Sequence, residues 1–164
     1  MNKYEDLTTE DLINEFIEIK QELRNRQILR TDNFVGDLGE YLVKNIYNNN
    51  PILSNLSLLN NSYPHYDAQS EDGNRYSIKT ITTNYTGKFT GLEPKNSIKE
   101  NSKLFDYVVV CQCDKNLAIK LVLELTWENF LKYKKWHSTD KAWYLSVTKK
   151  LIKNSNIIID NRKN

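Results

Sequence analysis

The stretch that decides the fold is YDAQSEDGNRYSIKTI, residues 66–81. Two runs, YDAQS and RYSIKTI, flank EDGN, and Asp72-Gly73 is a strong hairpin signal. Side chains alternate between the faces of a strand. Ser77 and Lys79 therefore share one face, and Tyr76, Ile78 and Thr80 share the other. The hairpin folds the first strand back beside the second and brings Asp67 towards Ser77 and Lys79. A carboxylate and an ammonium on neighbouring strands can serve phosphodiester chemistry. The carboxylate suits a hard divalent cation that wants oxygen ligands, and the ammonium suits a phosphate or an attacking water. The same spacing also serves an ordinary ion pair across a hairpin.

Outward from this hairpin, TTEDLINEFIEIKQELRNRQIL (8–29) repeats Leu12, Phe16, Ile19 and Leu23 at helical spacing behind Thr8 or Thr9 as a cap. A second helix is expected in DNFVGDLGEYLVKNIYNN (32–49), with Leu38, Leu42, Val43 and Ile46 as its apolar stripe. Gly39 inside it costs about 1 kcal/mol against alanine, which is acceptable where something approaches the helix closely. Downstream, residues 84–104 form a Gly-, Asn-, Ser- and Lys-rich loop. FDYVVVCQC (105–113) is an apolar strand for the middle of a sheet. LAIKLVLELT (117–126) reads as its neighbour, WENFLKYKKW (127–136) as a helix capped by Thr126, and AWYLSVTKKLI (142–152) as one further strand. This order predicts an α/β fold with a central mixed β-sheet flanked by helices and two N-terminal helices.

The length of 164 residues suits one domain, divided here into an N-terminal helix (1–30) and a core (31–164). No apolar run approaches a membrane span, and the acidic start is no secretory signal. Cys111 and Cys113, two apart on a strand, suit a buried structural pair, and the chain is expected to be cytoplasmic. Net charge is only +2 but uneven. Residues 1–23 hold seven acids against two lysines, residues 75–103 six bases against two acids, and residues 132–153 seven lysines against one acid. Such asymmetry suits one acidic face and one surface for a polyanion, or an ordinary solvated lysine-rich surface.

Together, the pattern D…SIK and the helix bearing GDLGEYLV resemble the PD-(D/E)xK, or restriction-endonuclease-like, nuclease superfamily. More narrowly, ILRTDNFVGDLGEYLV, YDAQSEDGNRYSIKT, FDYVVVC and WYLSVTKKL resemble, in order, segments of a bacterial family of small restriction-endonuclease-like proteins. The resemblance runs from about residue 7 to about residue 152. It implies a restriction-endonuclease-like core and a Mg²⁺-dependent DNA endonuclease, of the type II restriction or host-defence kind, with Mn²⁺ able to substitute. It matches Asp67 to the metal-binding aspartate, Lys79 to the catalytic lysine and Glu40 to the helix glutamate. Ser77 stands where the family has Glu, Asp or Gln. Serine there implies that a carboxylate from elsewhere takes over, for which Glu40 is the candidate, with the Ile78 carbonyl as a further metal ligand. Double-stranded DNA is the implied partner. Thr82, Asn84, Thr86 and Lys88 after the strand are candidate contacts or a plain loop, and Arg30 with Arg24 and Arg26 either binds the backbone or caps the helix end. A homodimer suits double-strand cleavage and a palindromic site. Asp37, Gln69 and His65 are weaker candidates. A non-catalytic nucleic-acid-binding module, or a nuclease for RNA or for branched or modified DNA, remains the alternative.

Overall fold

The computed structural model describes residues 3–60 and 63–162. The chain forms two compact units, residues 1–38 and 39–164. In the first, helix α1 (Thr9–Asn25) starts at Thr8, whose side chain accepts from the Asp11 N–H while the Asp11 carboxylate accepts from the Thr8 N–H, a capping box. Its apolar stripe is not buried: Leu12, Phe16 and Ile19 are 39, 57 and 45% exposed. Helix α2 (Phe34–Asn48) begins in this unit. In its first turn, the buried Asp37 carboxylate accepts from the Arg30 and Thr31 N–H groups and the Thr31 hydroxyl, so Asp37 closes the interhelical turn.

The second unit is built on a six-stranded mixed sheet. It comprises β1 (Leu56–Leu58), β2 (Ala68–Ser70), β3 (Arg75–Ile81), β4 (Tyr107–Cys113), β5 (Ile119–Thr126) and β8 (Asn156–Asp160), in the order β1-β2-β3-β4-β5-β8. Every neighbouring pair is antiparallel except β3 and β4, which run parallel. A parallel pair needs a long crossover. Here the crossover is residues 82–106, the loop expected from its composition. It is pinned by bridges from Tyr85 to Ser146 and from Phe89 to Trp143 on β7 (Ala142–Tyr144), which pairs with β6 (Lys135–His137).

Each face of the sheet has its own core. On one, Val43 and Tyr47 of α2 pack with Tyr76, Ile78, Val109 and Cys111. On the other, Phe89 and Phe105 of the crossover pack with Phe130 of α3 (Trp127–Tyr133), Leu151 of α4 (Lys149–Lys153), Val108 and Val110. Cys111 and Cys113 are buried and free of a disulfide, and burial pushes both thiols up, away from the reactive thiolate. Among the described residues, no helix is long and apolar enough to cross a membrane.

Several elements differ from the sequence reading. The helix over 127–136 stops at Tyr133, because Lys134 turns to extended backbone (ψ 143) and hands Trp136 to β6. The strand expected over 142–152 is β7 followed by α4, whose start is capped by Thr148 accepting from the Leu151 N–H. The short β1 and the exposed edge strand β8 carry too little pattern to be seen in sequence.

A polar clamp fixes the parallel pair at its start. Asp106 Oδ2 accepts from the Arg75 N–H (2.8 Å) and Nε (3.1 Å), and Oδ1 from Lys103 Nζ (2.9 Å). Burial alone would raise the Asp106 pKa. The Arg75 N–H and the Lys103 and Arg75 cations outweigh it and hold the carboxyl down at about 2. A carboxylate depressed by folding stabilises the native state above the ordinary aspartate range and loses that contribution as pH falls through its folded value. In urea titrations between about pH 4 and about pH 2, the wild-type midpoint should therefore fall more steeply than that of Asp106→Asn. Parallel pH profiles for the two proteins would contradict this.

Candidate active site

The pocket is made where β2 leaves β3. The Asp72-Gly73 turn, with Gly73 at φ +83, sets the register Ala68↔Tyr76 and Gln69↔Arg75. Just past that pairing, the Asp67 N–H donates to the Tyr76 carbonyl (2.8 Å). The next donor on this edge, the Ile78 N–H, meets the Asp67 side chain instead of a ladder carbonyl, with Oδ2 accepting at 2.7 Å. The divergence of two strands thus leaves a backbone donor that a carboxylate satisfies. It also fixes that carboxylate at the peptide between Ser77 and Lys79.

Ser77 and Lys79 stand on the face away from α2, beside Val108 and Val110 in register. Asp67, Ser77 and Lys79 line one small pocket of about 90 Å³ together with His65, Lys88 and Phe89. Lys79 Nζ lies 5.3 Å from the Phe89 ring centroid, so a buried aromatic face supports the ammonium. Ser77 is 1% exposed and belongs to the pocket wall rather than to the surface. His65 is held at φ +80, a region that a residue with a Cβ seldom adopts, and its ring occupies the space that a side chain on Gly91 would need.

The remaining sequence candidates lie elsewhere. Gly39 makes the expected close approach, but to Thr80, whose side chain is on the face opposite Lys79. Residues 39–48 of α2 cover that opposite face through Val43 and Tyr47, and Glu40 does not line the Asp67–Lys79 pocket. Among the described residues, no three His, Cys, Asp or Glu side chains gather as a metal-holding group. Thr86 is buried: its hydroxyl accepts from the Leu145 N–H (2.9 Å) and donates to the Gly87 carbonyl (2.9 Å), so it secures the crossover. Thr82 and Asn84 are exposed, and Asn84 Oδ1 accepts from Gln112 Nε2 (2.9 Å). Arg30 belongs to the N-terminal unit. Gln69 closes the hairpin by donating to the Gly73 carbonyl (3.0 Å).

His65 and Lys88 are the pocket members that spacing weighted too little. Their approach depends on the crossover returning over β3, which no local pattern encodes. The Gly-Lys-Phe run 87–89 and Gly91 were the available signals.

The donor set can be tested against magnesium. The pocket supplies one carboxylate, from Asp67, and two hydroxyl oxygens, from Ser77 and Thr90. Magnesium is commonly held by one or two carboxylates, with waters and substrate phosphate completing its shell. These residues fit an ion shared with a substrate phosphate and do not form an all-protein cage. No protein-family model and no curated protein matches this chain.

Proposed function

We propose that this chain is a Mg²⁺-dependent DNA endonuclease with a restriction-endonuclease-like core, acting in restriction or host defence in the cytoplasm. The observation that carries the reading is the joint lining of one pocket by Asp67, Ser77 and Lys79, with Lys88 beside them. The element order supports it: a helix, a hairpin with an aspartate, then x-x-K on the next strand, as in the superfamily that the sequence resembles. In this site Asp67, oriented by the Ile78 N–H, would hold the ion, with Ser77 touching it at most through water. When bound, magnesium supplies charge neutralisation at the phosphate and a more acidic bound water. Lys79 donates to a phosphate oxygen or to the attacking water, and its charge is focused by the apolar Phe89 behind it. Lys88 adds a second cation on the phosphate side. A second copy of the chain would supply the second cut, and the exposed apolar stripe of α1 is a surface for it.

The single carboxylate favours one other reading, a nucleic-acid-binding module without cleavage. Incubation with plasmid DNA, modified DNA and RNA in Mg²⁺ separates the two. The nuclease reading predicts nicked or linear DNA in Mg²⁺ and none in EDTA. Retention of DNA on a gel without any cut, across all substrates, supports the module instead.

The helix glutamate can be tested apart from Asp67 and Lys79. On the pocket geometry, Glu40→Gln should cut within roughly threefold of the wild-type rate, the range of a substitution outside the reacting centre. A loss of a hundredfold or more with the fold intact would return Glu40 to the metal site.

A further inference from the structure

A second cleft of the second unit, about 510 Å³, adjoins the Asp67–Lys79 pocket. Its walls are aromatic: Tyr85 from the crossover, and Trp143, Tyr144 and His137 from the β6–β7 hairpin. Lys88 lines both cavities, so an occupant of one is a neighbour of the other. We propose that this cleft is a nucleobase-binding subsite. It would take an unstacked base of a nucleic-acid strand whose adjoining phosphate lies at Lys88 and the Asp67–Lys79 pocket. The assignment of that second pocket to phosphate rests on the nuclease reading.

Four observations point to a base. First, the walls are set in advance. Trp143 Nε1 donates to the Glu93 carbonyl (2.7 Å), Lys134 Nζ lies 3.0 Å from the centroid of its ring, and Trp136 meets it edge-on. The Phe89 N–H donates to the Trp143 carbonyl, which ties the crossover to the same hairpin. Second, Tyr85 is 59% exposed and meets Tyr144 at 6.1 Å with an interplanar angle of 62°. A large aromatic ring left open to water beside a cleft offers a stacking surface. Third, the cleft carries polar groups that suit a base edge. Asp140 supplies acceptors, its carboxylate 3.3 Å from Lys88 Nζ. Asp140 meets His137 Nδ1 through its N–H (3.2 Å) and its carboxylate (3.4 Å), so Nε2 is the ring nitrogen left for a base edge. Fourth, the hairpin belongs to the lysine-rich segment 132–153, which attracts a polyanion without reading it. Aromatic platforms in a basic groove bind single strands by stacking, because the faces of bases in a duplex are covered by their neighbours.

Fluorescence anisotropy in EDTA, where nothing is cut, tests this with a labelled oligothymidine strand and a strand of equal length made of abasic sugar-phosphate. The wild type should bind the thymidine strand about tenfold more tightly than the abasic one. Tyr85→Ala should lose about that factor on thymidine and little on the abasic strand, and Tyr85→Phe should keep it, since stacking does not use the hydroxyl. Thymidine-selective binding by a wild type that cuts nothing in Mg²⁺ would leave the subsite standing and remove the nuclease reading. Equal affinity of the wild type for the two strands, or an unchanged Tyr85→Ala, would overturn the subsite whatever the protein cuts.

Discussion

Lys79→Ala is expected to fold normally, still bind DNA, and cleave it about a hundred- to a thousandfold more slowly than the wild type. The lysine is half-buried at the end of an ordered strand, and its ammonium approaches Phe89 rather than a partner carboxylate. Removing it deletes the ammonium's contact with Phe89 but none of the apolar packing on this face carried by Ile81, Val108 and Val110. The loss should therefore fall on the transition state, where charge builds on the phosphate, and not on stability. Lys79→Arg should recover only part of the rate, because a planar fork does not reproduce a compact point charge in a pocket of about 90 Å³. Circular dichroism and DNA affinity matching the wild type, together with the rate loss, are the expected set. Cleavage by Lys79→Ala at the wild-type rate would mean that the pocket is not where the bond breaks.

Gly39→Ala is expected to destabilise the second unit by about 2–3 kcal/mol, although alanine is the better helix former. An added Cβ would overlap Oγ1, Cγ2 and also Cβ of Thr80. Because the Thr80 Cβ is fixed to the backbone, no rotamer change clears the clash, and either the helix or β3 must move. The site feels that movement, since Thr80 directly follows Lys79. The Thr80 hydroxyl is buried with no hydrogen-bond partner among the described residues, a cost accepted for this close contact. Combining Gly39→Ala with Thr80→Ala should restore part of the loss, a coupling readable in a double-mutant cycle of urea midpoints. A Gly39→Ala midpoint equal to that of the wild type would contradict the tight approach.

The hairpin was legible because its signals are local: Asp72-Gly73 fixes the turn, and alternation puts Ser77 with Lys79. Gly39 does let α2 come close, as its presence suggested, but the partner is Thr80, and Thr80 and Lys79 face opposite ways. Sequence spacing predicts that two elements meet and leaves open on which face of the sheet they do so. Thr86 illustrates a second limit. It reads as a polar loop residue, and only the pairing of the crossover with β7 shows its hydroxyl spent on Leu145. The aromatic cleft was hidden for a related reason. With 127–136 read as one helix, Trp136 and His137 had no sheet to join. The break at Lys134 makes the hairpin that carries Trp143 and Tyr144.

On the proposed reading, Asp67, held by the Ile78 N–H beside Lys79, is the carboxylate of a metal-dependent nuclease site. Plasmid cleavage rate against Mg²⁺ concentration, for wild type and Asp67→Asn with EDTA as the zero point, tests this. The predicted result is a wild-type rate that is absent in EDTA and rises to saturation with Mg²⁺, with Asp67→Asn at least about a hundredfold slower throughout. Cleavage by the wild type in EDTA, or an Asp67→Asn curve that overlays the wild-type curve, would contradict it.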